Sequence, residues 1–232
     1  ISSCWIIYRI IQHEFSYDAQ LTHRERIYKV VSAFSSDDKM GGVSAPLYQG
    51  IREEIPGLDY VVPVFYQWIN AVEIKRETKA DFIKEDPQQI AATDGAYFQL
   101  LPYTWLAGSK AGALESPEGV VLTASRAQEY FPGTLPEDVL HKTITYFGRD
   151  TVQRTVTGIV ADYYSPSEFT AQEFLALPEK TYEKYMWTNT NGSDKLYLQF
   201  RTGANVTAIL EQINKLDQRH WKVFEEERGS PM

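Results

Sequence analysis

An α+β fold is predicted for this chain by three observations. Stretches rich in β-branched and aromatic residues, such as Arg26–Phe34, Tyr60–Trp68 and the pair Lys142–Phe147 and Val152–Val160, have the composition and alternation of strands. Between them lie apolar stripes at helical spacing, with Leu47, Tyr48, Ile51 and Ile55 on one helix and Val206, Ile209, Leu210, Ile213 and Leu216 on another. Finally, 15 Tyr and 11 Phe within a hydrophobic content of 43% supply a core of pronounced β character. The 232 residues suffice for one large domain or two small ones. At that size roughly 70% of the unfolded chain's surface can be buried.

The first thirty residues organise the rest. Ile1–Ile11 is as apolar as a membrane helix but covers only about half of the ~20 residues a bilayer crossing needs. It reads as the end of a membrane span, with Trp5 and Tyr8 at the interface and Arg9 where the helix leaves the lipid. On pattern alone, an amphipathic helix docked on a soluble core fits equally. Gln12–Arg26 can continue the helix, with Phe15, Leu21 and Tyr17 turned inward.

Arg26–Phe34 then reads as a strand ending in the polar stretch Ser35–Gly42. Ser44 is the expected N-cap of a helix with Pro46 in its first turn, and Pro56-Gly57 stops it. Tyr60–Trp68 is the next strand, with Pro63 marking an edge or a bulge, and Ala71–Lys75 a third. A second unit starts near Asp94. Thr93–Pro102 reads as a short capped helix, and Gly119–Leu122 as a buried strand that runs into a helix capped by Thr123, with Ala127, Tyr130 and Phe131 on its inner face. Lys142–Phe147 and Val152–Val160 form a hairpin.

In the last third, Ser165–Leu175 begins with turn chemistry and is expected to become helical. Asn189–Asp194 is a polar turn, Lys195–Arg201 a strand, and Gly203–Asn205 the cap of a final helix that would pack on a sheet. The polar end from Glu225 reads as a linker or truncation point.

Charge and cysteine content narrow the function. The balance of 23 basic and 31 acidic residues gives a net charge of −8 without a Lys/Arg cluster, which argues against nucleic acid and against adhesion to anionic lipid. The single Cys4 permits neither an intrachain disulfide nor a multi-cysteine metal site. No cleavable signal peptide is visible, so an extracytoplasmic location would depend on the membrane helix.

A search for chemistry finds no converging set. His13, His23, His141 and His220 are scattered, and His13-Glu14 lacks the second histidine of a zinc-protease helix, so packing or solvated roles are expected. Ser125 lacks the flanking glycines of a nucleophile elbow and belongs to a helix start. Gly41-Gly42 is not followed by the Gly-Lys-Ser/Thr of a phosphate loop. Asp37-Asp38 and Asn189–Asp194 do not follow calcium-loop spacing. Tyr60, Phe65, Tyr66 and Trp68 could line a groove, although alternating aromatics on a strand more often build core. Catalytic, cofactor-binding and metal-ligating residues are therefore all assigned as none, and no cofactor is expected.

Four segments in order carry a resemblance: Tyr97-Phe-Gln-Leu-Leu followed by Trp105-Leu-Ala-Gly, then Val120–Phe131, then Val156–Asp162. Together with His13–Asp18 and Arg26–Val30 they are similar to the MacB-like periplasmic core domain of FtsX-family ABC transporter permeases; Pro132–Pro136 and the final third follow the pattern loosely. The resemblance implies a porter-like α+β subdomain split by an inserted smaller, mostly-β subdomain, with an N-terminal helix that continues from a membrane span. On that division, 1–22 is the outer end of the first transmembrane helix and its stalk, and 23–93 the first part of the porter-like subdomain. Residues 94–160 are the insertion, 161–226 the second porter-like part, and 227–232 a linker or truncation.

The resemblance further implies a non-enzymatic domain on the periplasmic side of the bacterial inner membrane. There it would couple ATP hydrolysis by a cytoplasmic ATPase subunit to extracytoplasmic movement in export or efflux. The expected partners are that ATPase, a second permease copy, and a periplasmic adaptor or substrate, with no nucleic acid. The other reading is a membrane-anchored extracellular ligand-binding or sensor domain; a soluble enzyme with an unrecognised site ranks below both.

Overall fold

The computed structural model describes residues 18, 21–33, 39–76, 80–163, 167–177 and 186–228, with side chains as far as Lys222. The expected membrane-proximal helix, with Cys4 and His13, lies outside the described residues, as do Asp37-Asp38. Among the described residues no helix is long and apolar enough to cross a membrane.

The strands, in chain order, are β1 Ile27–Lys29, β2 Ser32–Ala33, β3 Lys39–Met40, β4 Val43–Ser44, β5 Leu58–Tyr66, β6 Ala71–Ile74, β7 Phe82–Glu85, β8 Ile90–Thr93, β9 Trp105–Gly108, β10 Gly119–Thr123, β11 Thr143–Phe147, β12 Thr151–Val160, β13 Glu173–Ala176, β14 Thr190–Asn191 and β15 Asp194–Phe200. The α-helices are α1 Ala45–Glu54, α2 Ala96–Leu100, α3 Ala124–Tyr130, α4 Pro136–Val139 and α5 Val206–Arg228. Eleven strands join one sheet in the order β1-β15-β5-β8-β13-β10-β12-β11-β6-β7, with β9 added beside β12. The pairs β10/β12 and β13/β8 are parallel; the remaining pairs of this sheet are antiparallel. β15 thus pairs with β1 and β5, strands from the other end of the chain.

Side-chain alternation along the central strands separates the core into layers. Val121, Val160, Phe174 and Ala91 face one side, where Tyr97 and Phe98 of α2, with Leu101, Tyr103 and Phe169, cover them. This layer is aromatic, with ring centroids 4.9 Å apart for Tyr97–Phe174 and 5.0 Å for Phe98–Trp105. The other side carries two separate clusters. At the β10–β12–β11 end, Val120, Leu122, Ile159, Ile144 and Tyr146 meet Ala127 and Tyr130 of α3 and Val139 of α4. At the β5–β15 end, Phe65, Leu196, Leu198 and Phe200 meet Leu47, Tyr48 and Ile51 of α1 and Ile209, Ile213 and Leu216 of α5.

Most expected elements form where the pattern placed them, and the exceptions have physical causes. Arg26–Phe34 is not one continuous strand: a 3-10 turn at Arg24–Arg26 precedes β1, and β2 is a separate short strand paired with β3. Within Ser165–Leu175 the described residues, from 167 on, form no helix: an irregular run leads into β13, held between β8 and β10 with all four residues buried. Sheet hydrogen bonds on both sides outweigh the helical propensity of Ala-Gln-Glu-Phe-Leu. Pro63 lies in an interior strand, opposite Leu196. Its carbonyl accepts from the Thr93 hydroxyl at 2.5 Å, on the side where the β5–β8 ladder has already ended, so the missing N–H interrupts no ladder. Leu210, expected on the inner stripe of α5, is 44% exposed, whereas Val206, Ile209, Ile213 and Leu216 pack on the body as expected. The polar end read as a linker from Glu225 is helical as far as Arg228.

Candidate functional site

The most concentrated chemistry in the described molecule surrounds Glu173. The alternation of β13 turns this carboxylate to the same side as Leu175, into the cluster beneath α3, where it is fully buried. Arg126 and Tyr130 stand four residues apart on α3 and therefore share one face of that helix. Its phase is set at the N-terminus by Thr123, whose hydroxyl oxygen accepts the Arg126 N–H at 3.4 Å. Tyr146 approaches from β11.

Tyr130 Oη donates to Glu173 Oε1 at 2.6 Å and Tyr146 Oη to Oε2 at 2.6 Å. Arg126 Nε stands 3.1 Å from Oε1 but outside hydrogen-bond geometry, so that attraction is coulombic. The guanidinium is also nearly inaccessible; it donates through Nη1 to Glu129 at 2.9 Å and through Nη2 to the Gln88 carbonyl at 2.7 Å. Lys84 of β7 closes the network on Glu129. One buried charge pair thus joins β13, α3, β11, β7 and the chain just before β8.

Electrostatics describe a clamp rather than an acid poised for turnover. Burial pushes the Glu173 carboxyl up, and Arg126 with the two tyrosine hydroxyls opposes that shift. The Tyr130 and Tyr146 hydroxyls are pushed up by burial first and by the Glu173 charge second, so both remain donors. Glu129 is only lightly covered; Lys84 and Arg126 outweigh its desolvation and hold it below the usual carboxylate range.

A second set lies at the entrance of α3. Ser125 Oγ donates to Asp162 Oδ2 at 2.8 Å, and the Ser125 N–H approaches both Asp162 oxygens at 3.2 and 3.3 Å. Asp162 ties the end of β12 to the helix start, so Ser125 has the helix-start role its sequence position suggested. A cleft of about 240 Å³ opens beside it, lined by Gln89, Thr123, Ser125, Asp162, Thr170 and Gln172 among others. The hydroxyl faces a carboxylate with no imidazole joining them in these bonds, so the arrangement does not match a Ser-His-Asp relay.

The other sequence candidates disperse. His23 and His141 are turn residues at φ 60° and 65°, and His220 stacks on Trp187. Of the strand aromatics, Phe65 packs under α1 while Tyr60 and Tyr66 pack against the opposite aromatic layer. Trp68 is 81% exposed, so the four line no common groove. Among the described residues no group of three or more His, Cys, Asp or Glu side chains could hold a metal ion. The Glu173 node was not anticipated. A glutamate flanked by Gln172 and Phe174 reads as the polar face of a helix, and its partners lie 27 to 47 positions away in sequence.

Fold and site together define an α+β module whose charged groups lock secondary structure. The chain belongs to the family of the MacB-like periplasmic core domain, whose model matches residues 1–216. This family is the periplasmic domain of ABC-transporter permeases. Among solved structures, the chain is similar to a domain of a protein named as a permease from Porphyromonas gingivalis. That match has 18% identity and a TM-score of 0.65 and covers 86% of each chain. It is also similar to the periplasmic region of MacB from Actinobacillus actinomycetemcomitans, with 13% identity, a TM-score of 0.52 and coverage of 88% of this chain and 85% of that one. At these identities the two structures support the fold alone. A search of curated proteins found no match.

Proposed function

We propose that this domain is a mechanical coupler, in which ATP hydrolysis by a cytoplasmic partner subunit moves membrane helices and the domain converts that displacement into extracytoplasmic work of the export or efflux kind. On this reading the permease works as a dimer, and an adaptor or cargo meets the domain in the periplasm. The chain divides for this work as 23–93 and 161–226 flanking 94–160. The helices on one side of the sheet support that division, since α1 and α5 come from the flanking stretches and α3 and α4 from the middle one, over a single sheet that all three stretches share.

The observation that carries the reading is α5. It runs for 23 residues, packs Ile209, Ile213 and Leu216 on the body, and continues to Arg228. A helix fixed at one end and continuous beyond its contacts transmits displacement, whereas a flexible segment absorbs it. The stalk around Gln12–Glu14, outside the described residues, is proposed to act the same way at the other end of the chain.

The test uses the full-length permease with its ATPase in membrane vesicles. Two glycines inserted after Lys222, or at Gln12–Glu14, are expected to lower export while ATP turnover and expression persist, because each interior glycine costs a helix about 1 kcal/mol. Export unchanged after both insertions would remove force transmission from the mechanism.

A further inference from the structure

The segment before β15 is built into the fold as a strap across α1 and α5. Met186–Asn189 leads into β14, which pairs antiparallel with β4 through Thr190↔Ser44 and Asn191↔Val43. Gly42 makes this crossing possible, since a Cβ there would stand 2.0 Å from the Asn191 carbonyl oxygen. The strap is thereby anchored immediately before α1.

From that anchor Trp187 reaches both helices. Its ring lies face to face with the His220 ring of α5, with centroids 3.6 Å apart and planes 3° from parallel. Its far edge rests on Gly50 of α1, where a Cβ would meet the indole Cη2 at 2.6 Å and Leu216 Cδ2 at 3.2 Å. Gly50 has no positive φ and sits inside a helix, where glycine is disfavoured, so the absence of a side chain is what seats the indole. His220 extends the stripe Ile209, Ile213, Leu216 by one further turn. Arg219 Nη2 also links the two helices there, donating to both Glu54 oxygens at 2.8 and 2.7 Å. It is half exposed on both sides and contributes little to rigidity.

We propose that the 186–191 strap is a latch, with Trp187 seated between Gly50 and His220 to fasten the far half of α5 to α1. With the indole seated, α5 moves as one body with the sheet. With the indole withdrawn, the helix beyond Leu216 swings while its first turns stay packed. Trp187 is half-buried and packs against the edge of the α1–α5 cluster, whose buried members, Leu47, Tyr48, Ile51, Ile209 and Ile213 among them, also pack on one another, so withdrawal uncovers the rim of that cluster and leaves its centre in place. The latch adds to the coupling reading a point at which transmission can be engaged or released, and its mechanical consequence rests on that reading.

The test measures the distance between spin labels at Glu53 and Lys222, both exposed, in this chain carrying Cys4→Ser. The native chain is expected to give a narrow distribution. Trp187→Ala and Gly50→Ala, the second expelling the indole by the contact above, are each expected to widen it at least twofold with unchanged far-UV circular dichroism. Trp187→Phe, which restores an aromatic face for His220, is expected to keep it narrow. If Trp187→Ala fails to fold, Gly50→Ala alone decides, and an unchanged width there overturns the latch. Native-like widths in both variants overturn it as well. Widened distributions with normal export in the Trp187→Ala permease support the latch and count against force transmission.

Discussion

The same side of the same sheet is held in two different ways at its two ends. Under α3 the helix is fixed by a buried charge pair with directional hydrogen bonds, so Glu173 and its partners allow one arrangement only. Under α5 the helix is fixed by an aliphatic stripe, a stacked ring and an exposed ion pair. Apolar contacts are not directional and tolerate sliding; an unpaired buried charge does not. The difference teaches where this fold is rigid and where it can yield: the middle stretch is locked to β13 by directional bonds, whereas the long final helix is held by contacts that tolerate sliding.

The contrast breaks first at Glu173. Glu173→Ala removes the buried carboxylate that faces Arg126 and orphans two tyrosine hydroxyls, so a loss of about 3–5 kcal/mol is expected in urea unfolding. Glu173→Gln keeps the shape and one acceptor and should fall between Ala and the parent. A cost below 1 kcal/mol for Glu173→Ala would mean that the node is not the lock. At the other end Leu216→Ala should cost about 2–4 kcal/mol, the ordinary penalty for an aliphatic truncation, because no polar group is stranded.

A third difference is in pH response. Asp194, at the start of β15 beside the strap, is pushed up to about 6 by burial, with the Asn191 side chain opposing the shift. In the folded state it therefore binds its proton more tightly than in the unfolded chain, whose carboxyl titrates near 3.8. Its contribution is fully present below the unfolded value, is lost as pH rises from about 4 to 6, and stays lost above that. After allowance for solvent screening the loss is on the order of 1 kcal/mol. Asp194→Asn should flatten the stability profile across that window; an unchanged slope would assign it to other groups. The smallest effect is expected from Arg219→Ala, below about 1 kcal/mol, since the Glu54 pair is exposed.

How legible this was in the sequence follows from whether the causes are local. α1, β10 with α3, the β11–β12 hairpin and α5 are written in caps, turn residues and periodicity, and they form within a few residues of their expected bounds. β7 and β8 carry no comparable signal, and β13 carries a contrary one, because its strand conformation comes from neighbours distant in the chain. The node shows the same division. Thr123 as a cap was readable, whereas Glu173 needs Arg126, Tyr130 and Tyr146 brought together by the sheet.

The position of β15 between β1 and β5 has a consequence for biosynthesis. Ile27 finds Gln199 as its neighbour, and Val61 finds Leu198, so the earliest strands of the sheet are joined only by one made near the end of synthesis. Until that strand emerges, β5 presents an open edge nine residues long, a template for pairing with other chains. Pairing across such sequence separations also slows folding, since loop closure must precede the contacts that reward it. A domain that stands in the periplasm must therefore cross the membrane with its sheet incomplete and close it only after the β15 segment has followed. During that interval the β5 edge is open to mispairing.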